Sequence, residues 1–160
     1  MYLWDIENRA TYNNRMGKYK TSIESNFLKK YITHSQTILD IGGGSGRFAI
    51  PFYNEGQKIT LIDKDEHALS ILSKRCPDIQ FINNDFIHWE PKIKNSFDII
   101  LSIEVLLYIN DWKSYFNKVY DLLKDDGVFI FTATNKYSWR TIFQKVKDIN
   151  KPDYKYSIFS

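Results

Sequence analysis

The chain has 160 residues, of which 43% are hydrophobic and 16% aromatic, with 22 basic and 19 acidic side chains and a single cysteine. That is one domain, able to bury roughly two thirds of its unfolded surface. The apolar content excludes intrinsic disorder, and one cysteine excludes an intrachain disulfide framework or a cysteine-rich zinc site and suits a reducing compartment. The net charge of +3 is too small to argue for nucleic acid or a membrane surface as partner.

The N-terminus, Met1-Tyr2-Leu3-Trp4-Asp5-Ile6-Glu7, has no basic start and no apolar signal core, which points to a cytoplasmic protein. Residues 1–35 read as an arm followed by a helix. The arm carries Tyr12, Arg15 and Tyr19; the helix is expected to begin at the cap-like Thr21-Ser22-Ile23-Glu24, with Ile23, Phe27, Leu28 and Tyr31 on one face. From residue 37 short apolar runs alternate with amphipathic segments, the pattern of strand and helix units that feed a parallel sheet. Five strands are predicted, over Thr37 to Ile41, Lys58 to Ile62, Ile79 to Ile82, Phe97 to Ile103 and Val128 to Thr132. Helices are predicted over Gly46 to Asn54, Glu66 to Arg75 and Trp112 to Lys124, the last stopped by Asp126-Gly127. The fold class is therefore α/β, a doubly wound, mostly parallel sheet with helices on both faces. The longest apolar stretch, Phe97 to Ile109, is interrupted by Asp98 and Glu104 and is too short for the roughly 20 residues of a membrane helix. Residues 136–160 form a basic tail, expected to be a helix with a solvated face.

In an open sheet of this kind ligands bind beyond the carboxyl ends of the strands, where strand order reverses. After the first strand comes Asp40-Ile41-Gly42-Gly43-Gly44-Ser45-Gly46, a turn that lets backbone approach a ligand closely because no Cβ intervenes. The second strand ends in Asp63, about 20 residues beyond the glycines, where a carboxylate can accept both hydroxyl hydrogens of a ribose. Asp65 is placed to cap the next helix. Asp85 and Phe86 follow the third strand, the one able to accept from an adenine amino group, the other offering an apolar wall and a backbone N–H. Asp40 chooses between two ligand classes. It would repel the pyrophosphate of a dinucleotide such as NAD but would welcome a ligand carrying ammonium and sulfonium charges.

Taken together these residues resemble the class I S-adenosylmethionine-dependent methyltransferase family, whose fold is Rossmann-like. Ile38 to Gly46 is similar to its first motif, Leu61-Ile62-Asp63 to its ribose-binding acid, and Asn84-Asp85-Phe86 to its adenine-binding pair. Phe97 to Leu106 resembles the fourth motif and Leu122 to Ile130 the fifth. The resemblance implies that Asp40 and the backbone at Gly42 and Gly44, in the turn closed by Gly46, hold the methionyl part of S-adenosylmethionine. It further implies Asp63 on the ribose, Asp85 and Phe86 on adenine, and the Ser102 carbonyl facing the methionyl ammonium. The arm falls where relatives close a lid, so Tyr12 and Arg15 are expected over the cofactor, with the Arg15 guanidinium on its carboxylate.

The product would be S-adenosylhomocysteine, and the acceptor atom an oxygen or nitrogen of a small molecule. Where small-molecule members carry a histidine after the fourth strand, this chain has Tyr108; Glu104 and Tyr108 are the catalytic candidates. Neither Asn-Pro-Pro-Tyr nor Asp-Pro-Pro-Tyr occurs after the fourth strand, which speaks against methylation of nucleic-acid amino groups. Cys76-Pro77 lies before the third strand and reads as a helix end, while His34, His67 and His88 are too scattered for a metal site. The family fold closes with a helix and an antiparallel strand pair beyond the fifth strand. The 26 residues after Thr134 suffice for a helix and tail but scarcely for that pair, so either the chain is a truncated form or something else, with a second copy of the chain as one candidate, covers the exposed edge. The alternatives are an NAD-binding oxidoreductase and an inactive S-adenosylmethionine-binding module.

Overall fold

A computed structural model of the chain describes residues 12–33 and 35–133. Its elements in order are α1 (Arg15–Leu28), β1 (Thr37–Ile41), α2 (Ala49–Asn54), β2 (Lys58–Asp63), α3 (Glu66–Arg75), β3 (Gln80–Asn83), β4 (Phe97–Ser102), a 3-10 turn (Leu106–Tyr108), α4 (Trp112–Leu122) and β5 (Leu123–Phe131). The five strands form one all-parallel sheet in the order β3-β2-β1-β4-β5. Strand order reverses between β1 and β4, so the crevice that can take a ligand opens above their carboxyl ends.

Side-chain alternation along the strands divides the core in two. On one face Ile38, Leu61, Ile99 and Leu101 pack with Leu28, Phe52, Leu69 and Leu72 from α1, α2 and α3. On the other, Leu39, Ile41, Ile62 and Ile100 pack with Tyr115, Val119 and Leu122 of α4. The sheet is thus covered on both sides, as the alternating pattern requires. At its lower edge Asp98 pins β4 to β1, accepting from the Thr37 backbone N–H at 2.8 Å and hydroxyl at 2.6 Å, and from Lys124 Nζ at 2.8 Å. Burial opposes ionisation of Asp98, but these hydrogen bonds outweigh it and hold its pKa down to about 2.

Four boundaries differ from expectation by two residues or more. The first helix begins at Arg15, because the Asn14 side chain caps it by accepting from Gly17 N–H at 2.8 Å, so Thr21-Ser22-Ile23-Glu24 lies inside the helix. Of the face expected to be buried, Leu28 is; Ile23, Phe27 and Tyr31 remain substantially exposed. The helix after the glycine turn starts at Ala49, since Gly46 sits at φ +85°, outside the helical region. Helix α4 stops at Leu122, where Leu123 turns extended and pairs with Phe97, so β5 begins five residues before the expected Val128. The expected C-terminal helix and tail, 136–160, lie outside the described residues.

Candidate cofactor site

Every acidic residue singled out at a strand end stands at the carboxyl edge of the sheet. Asp40, on the face of β1 that carries Ile38, is 2% exposed, and its Oδ2 is the one buried side-chain polar atom among the described residues with no hydrogen-bond partner. Burial, reinforced by Asp63 and opposed by Arg47, pushes its pKa up to about 7. A buried carboxylate oxygen without a donor is costly unless something completes it. The glycine turn folds directly over this atom. A Cβ at Gly43 would lie 2.6 Å from Asp40 Oδ2 and 2.5 Å from Leu61 Cδ1, so only glycine lets the turn settle here.

Asp63 joins the turn to β2. Its Oδ2 accepts from Gly44 N–H at 2.8 Å and its Oδ1 from Asp65 N–H at 2.9 Å, leaving further lone pairs on both oxygens. Burial raises its pKa against the opposing pull of these backbone donors. Asp65 caps α3 as expected, accepting from Ala68 N–H at 3.1 Å, and Cys76 ends that helix. Asp85 opens the turn after β3 and accepts from Ile87 N–H at 3.0 Å and Lys64 Nζ at 3.3 Å. Burial works against ionisation there, but those two donors prevail and hold the carboxyl below its ordinary range. Phe86 is buried, its ring 5.0 Å from that of Tyr115 in an edge-on contact. Tyr115, which sequence reasoning missed, also shares a 2.8 Å hydrogen bond between its hydroxyl and Ser102 Oγ, bracing the end of β4. The Ser102 carbonyl accepts from Thr132 N–H at 3.2 Å.

Glu104 occupies a different setting from that of an open catalytic base. Its backbone is left-handed at φ +64°, a strained conformation for a non-glycine residue, and its N–H donates to Thr132 Oγ1 at 2.6 Å. Its carboxylate accepts from the Tyr12 hydroxyl and Lys20 Nζ, and Arg47 Nη2 lies 3.4 Å away. The Arg47 guanidinium is sandwiched between the rings of Tyr12 and Phe48, at 4.3 and 4.2 Å from their centroids, and reaches Glu24 at 3.0 Å. Tyr12, Lys20, Glu24, Arg47 and Glu104 therefore form one clasp that draws α1 onto the crevice. Arg15 is exposed at the start of α1, and Tyr108 is exposed on the 3-10 turn. His67 and His88 are exposed and His34 lies outside the described residues. Among the described residues no group of three or more His, Cys, Asp or Glu could hold a metal ion, and no helix is long and apolar enough to cross a membrane.

A glycine turn after β1, acids at the ends of β1, β2 and β3, and a reversal of strand order beside them define an α/β domain with a ligand crevice at its switch point. Comparison with known proteins gives the family: the model described as "Methyltransferase domain" matches residues 12–160, and the chain belongs to that family. It is 32% identical over 139 residues to an uncharacterized protein of Methanocaldococcus jannaschii, covering 86% of this chain and 51% of that one. It is 29% identical over 126 residues to the ribosomal protein L11 methyltransferase of Dictyoglomus turgidum, covering 73% of this chain and 39% of that one. Among solved structures it resembles an S-adenosylmethionine dependent methyltransferase from Mesorhizobium loti, with a TM-score of 0.60 and 25% identity over 66% of this chain and 51% of that one. The chain spans about half the length of the first curated relatives it matches.

Proposed function

We propose that this domain binds S-adenosylmethionine above the carboxyl ends of β1, β2 and β3. From there it moves a methyl group to an oxygen or nitrogen atom of a small-molecule acceptor in the cytoplasm, releasing S-adenosylhomocysteine. The observation that carries this reading is Asp40, a buried carboxylate with an unpartnered oxygen directly behind the glycine turn. Such a group favours a cationic ligand; a dinucleotide would bring its pyrophosphate against Asp40 and Asp63. Asp63 would take the ribose hydroxyls with its remaining lone pairs, Asp85 the exocyclic amine of adenine, and Phe86 the base through its backbone N–H and apolar surroundings. Gly42, Gly44 and Gly46 give the backbone turn its approach to the methionyl chain, and the second lone pair of the Ser102 carbonyl suits the ammonium. Tyr12 and Arg15 would close over the methionyl end from the arm.

When bound, the cofactor supplies a methyl group already activated by a positive sulfur. The chain is left to hold the acceptor about 3 Å from that carbon and in line with the leaving sulfur, and to exclude water. Glu104, held by two cations and a phenol, would serve as the anchor of α1, and Tyr108, exposed on the 3-10 turn, would meet the acceptor. The outer edge of β5, which pairs with no strand among the described residues, is where a homodimer would form.

Calorimetry with S-adenosylmethionine, S-adenosylhomocysteine and NAD on wild type and Asp63→Ala tests the reading. Micromolar binding of the first two, lost in the variant, is expected. Binding of NAD alone would replace it with an oxidoreductase, and cofactor binding without turnover across an acceptor panel would reduce it to an inactive binding module.

A further inference from the structure

Helix α4 carries a lysine on the side that faces the sheet. Lys118 lies one turn beyond Tyr115, and its Nζ donates to three backbone carbonyls, those of Phe86 at 3.1 Å, Ile87 at 2.5 Å and Trp89 at 2.7 Å. The same ammonium sits 5.6 Å from the centroid of the Phe86 ring. An ammonium has three hydrogens, so these bonds use its full donor capacity on a single turn.

That turn is built from Asp85. The Asp85 backbone carbonyl accepts from His88 N–H at 3.0 Å and Trp89 N–H at 2.8 Å, and its side chain accepts from Ile87 N–H at 3.0 Å. One helical turn is thereby wound after β3, with amides directed back at Asp85 and carbonyls directed away from it. Carbonyls at the C-terminal end of a turn have no partners of their own and concentrate negative potential. Lys118 satisfies them from an element that follows β4, across 29 to 32 positions of sequence. With Tyr115 it makes α4 a brace for two parts of the crevice at once, the end of β4 through Ser102 and the turn after β3.

From this geometry we infer that Lys118 is a positioning residue for recognition of the adenine base. It fixes the orientation of the Asp85 carboxylate and the Phe86 N–H and so sets the preference for a 6-amino over a 6-oxo purine. The inference rests on the proposed cofactor reading. Its chemical content is that a 6-amino group donates to Asp85, whereas a 6-oxo group presents an acceptor to an acceptor. The discrimination requires a turn that cannot rotate to avoid the mismatch.

The test is calorimetric titration of wild type, Lys118→Met and Lys118→Arg with S-adenosylhomocysteine and its 6-oxo analogue S-inosylhomocysteine, below the melting temperature of each variant. Wild type is expected to prefer the adenosyl ligand by at least about tenfold, the cost of one mismatched hydrogen bond to a charged group. Lys118→Met should bring the two affinities to within about threefold, chiefly by weakening the adenosyl ligand, and Lys118→Arg should restore most of the ratio. A lowered melting temperature with the wild-type ratio intact would make Lys118 a stabilising residue only and overturn the inference. So would a wild type that binds both ligands alike. If Lys118→Met does not fold, the ratio is read on Lys118→Gln, which keeps two donors for three carbonyls, and a wild-type ratio there also overturns the inference. Failure of wild type to bind either ligand is a different result, since it removes the cofactor reading itself.

Discussion

Asp40 is a buried acid whose pKa is raised from an ordinary 3.8 to about 7, chiefly by burial. The unfolded chain releases that proton near pH 4 and the folded one near pH 7, so within this window the native state binds one proton more. Stability in the absence of ligand therefore falls as pH rises from about 4 to 7, by at most about 1.4 kcal/mol per pH unit from this group. Ligand binding runs the other way, because the ionised carboxylate is the form that attracts an ammonium. With a pKa of about 7, roughly a tenth of Asp40 is ionised at pH 6 and nine tenths at pH 8, so S-adenosylhomocysteine should bind about tenfold more weakly at pH 6. Titration calorimetry at both pH values checks this, and Asp40→Asn should abolish the difference; a wild-type affinity that is flat between them would show that Asp40 does not contact the charge. Asp40, Asp63 and Asp85 were legible from sequence because each stands within two residues of the carboxyl end of a strand, so position in the chain alone puts it at the sheet edge. Arg47, Lys20, Tyr115 and Lys118 were not, since their roles come from contacts 13 to 84 positions away that only the folded chain creates.

Helix α1 shows how an element can be held by polar contacts more than by burial. Within its span only Gly17 and Leu28 are buried, and the helix is fastened by Lys20 and the preceding Tyr12 on Glu104 and by Glu24 on Arg47. Partly exposed ion pairs of this kind contribute little singly, so Glu104→Gln should cost only about 1 kcal/mol of stability. Its larger effect should be local, a marked rise in amide hydrogen exchange over the first two turns of α1 with little change in the strands. In a turnover assay an anchor predicts a raised KM and a kcat within a few-fold of wild type, whereas a general base would cost on the order of a hundredfold or more in kcat. Local propensity explains which elements could be read in advance. β1 and α3 match their expected spans, the latter because Asp65 caps it and Cys76-Pro77 ends it. The start of α1 was hidden because Thr21-Ser22-Ile23-Glu24 imitates a capping box inside a helix already capped by Asn14. The break between α4 and β5 was hidden because pairing of Leu123 with Phe97 overrides the turn signal at Asp126-Gly127.

At the scale of the molecule, the candidate site is where the two halves of the sheet meet. The β1, β2 and β3 ends supply Asp40, Asp63 and Asp85 on one side of the reversal, while the β4 end supplies Ser102 and Glu104 on the other. A ligand that contacts all of these ends ties together both packed faces, so its binding free energy adds to the stability of the whole domain. For a ligand that binds only the folded state the gain is RT ln(1 + [L]/Kd), about 2.7 kcal/mol at a hundredfold excess over Kd. In a chain of 160 residues each kcal/mol moves the melting temperature by about 2–4 °C, so S-adenosylhomocysteine at that concentration should raise it by about 8 °C. Asp63→Ala provides the control. If loss of the ribose contacts weakens binding about a hundredfold, the same ligand concentration only equals the new Kd, the gain drops to about 0.4 kcal/mol, and the shift shrinks to about 1 °C. NAD at equal concentration should leave the transition where it is. Differential scanning fluorimetry measures all three shifts in one experiment. Equal shifts in wild type and Asp63→Ala would show that the ligand is held elsewhere than at the end of β2, and a shift with NAD alone would reverse the order of preference that Asp40 imposes.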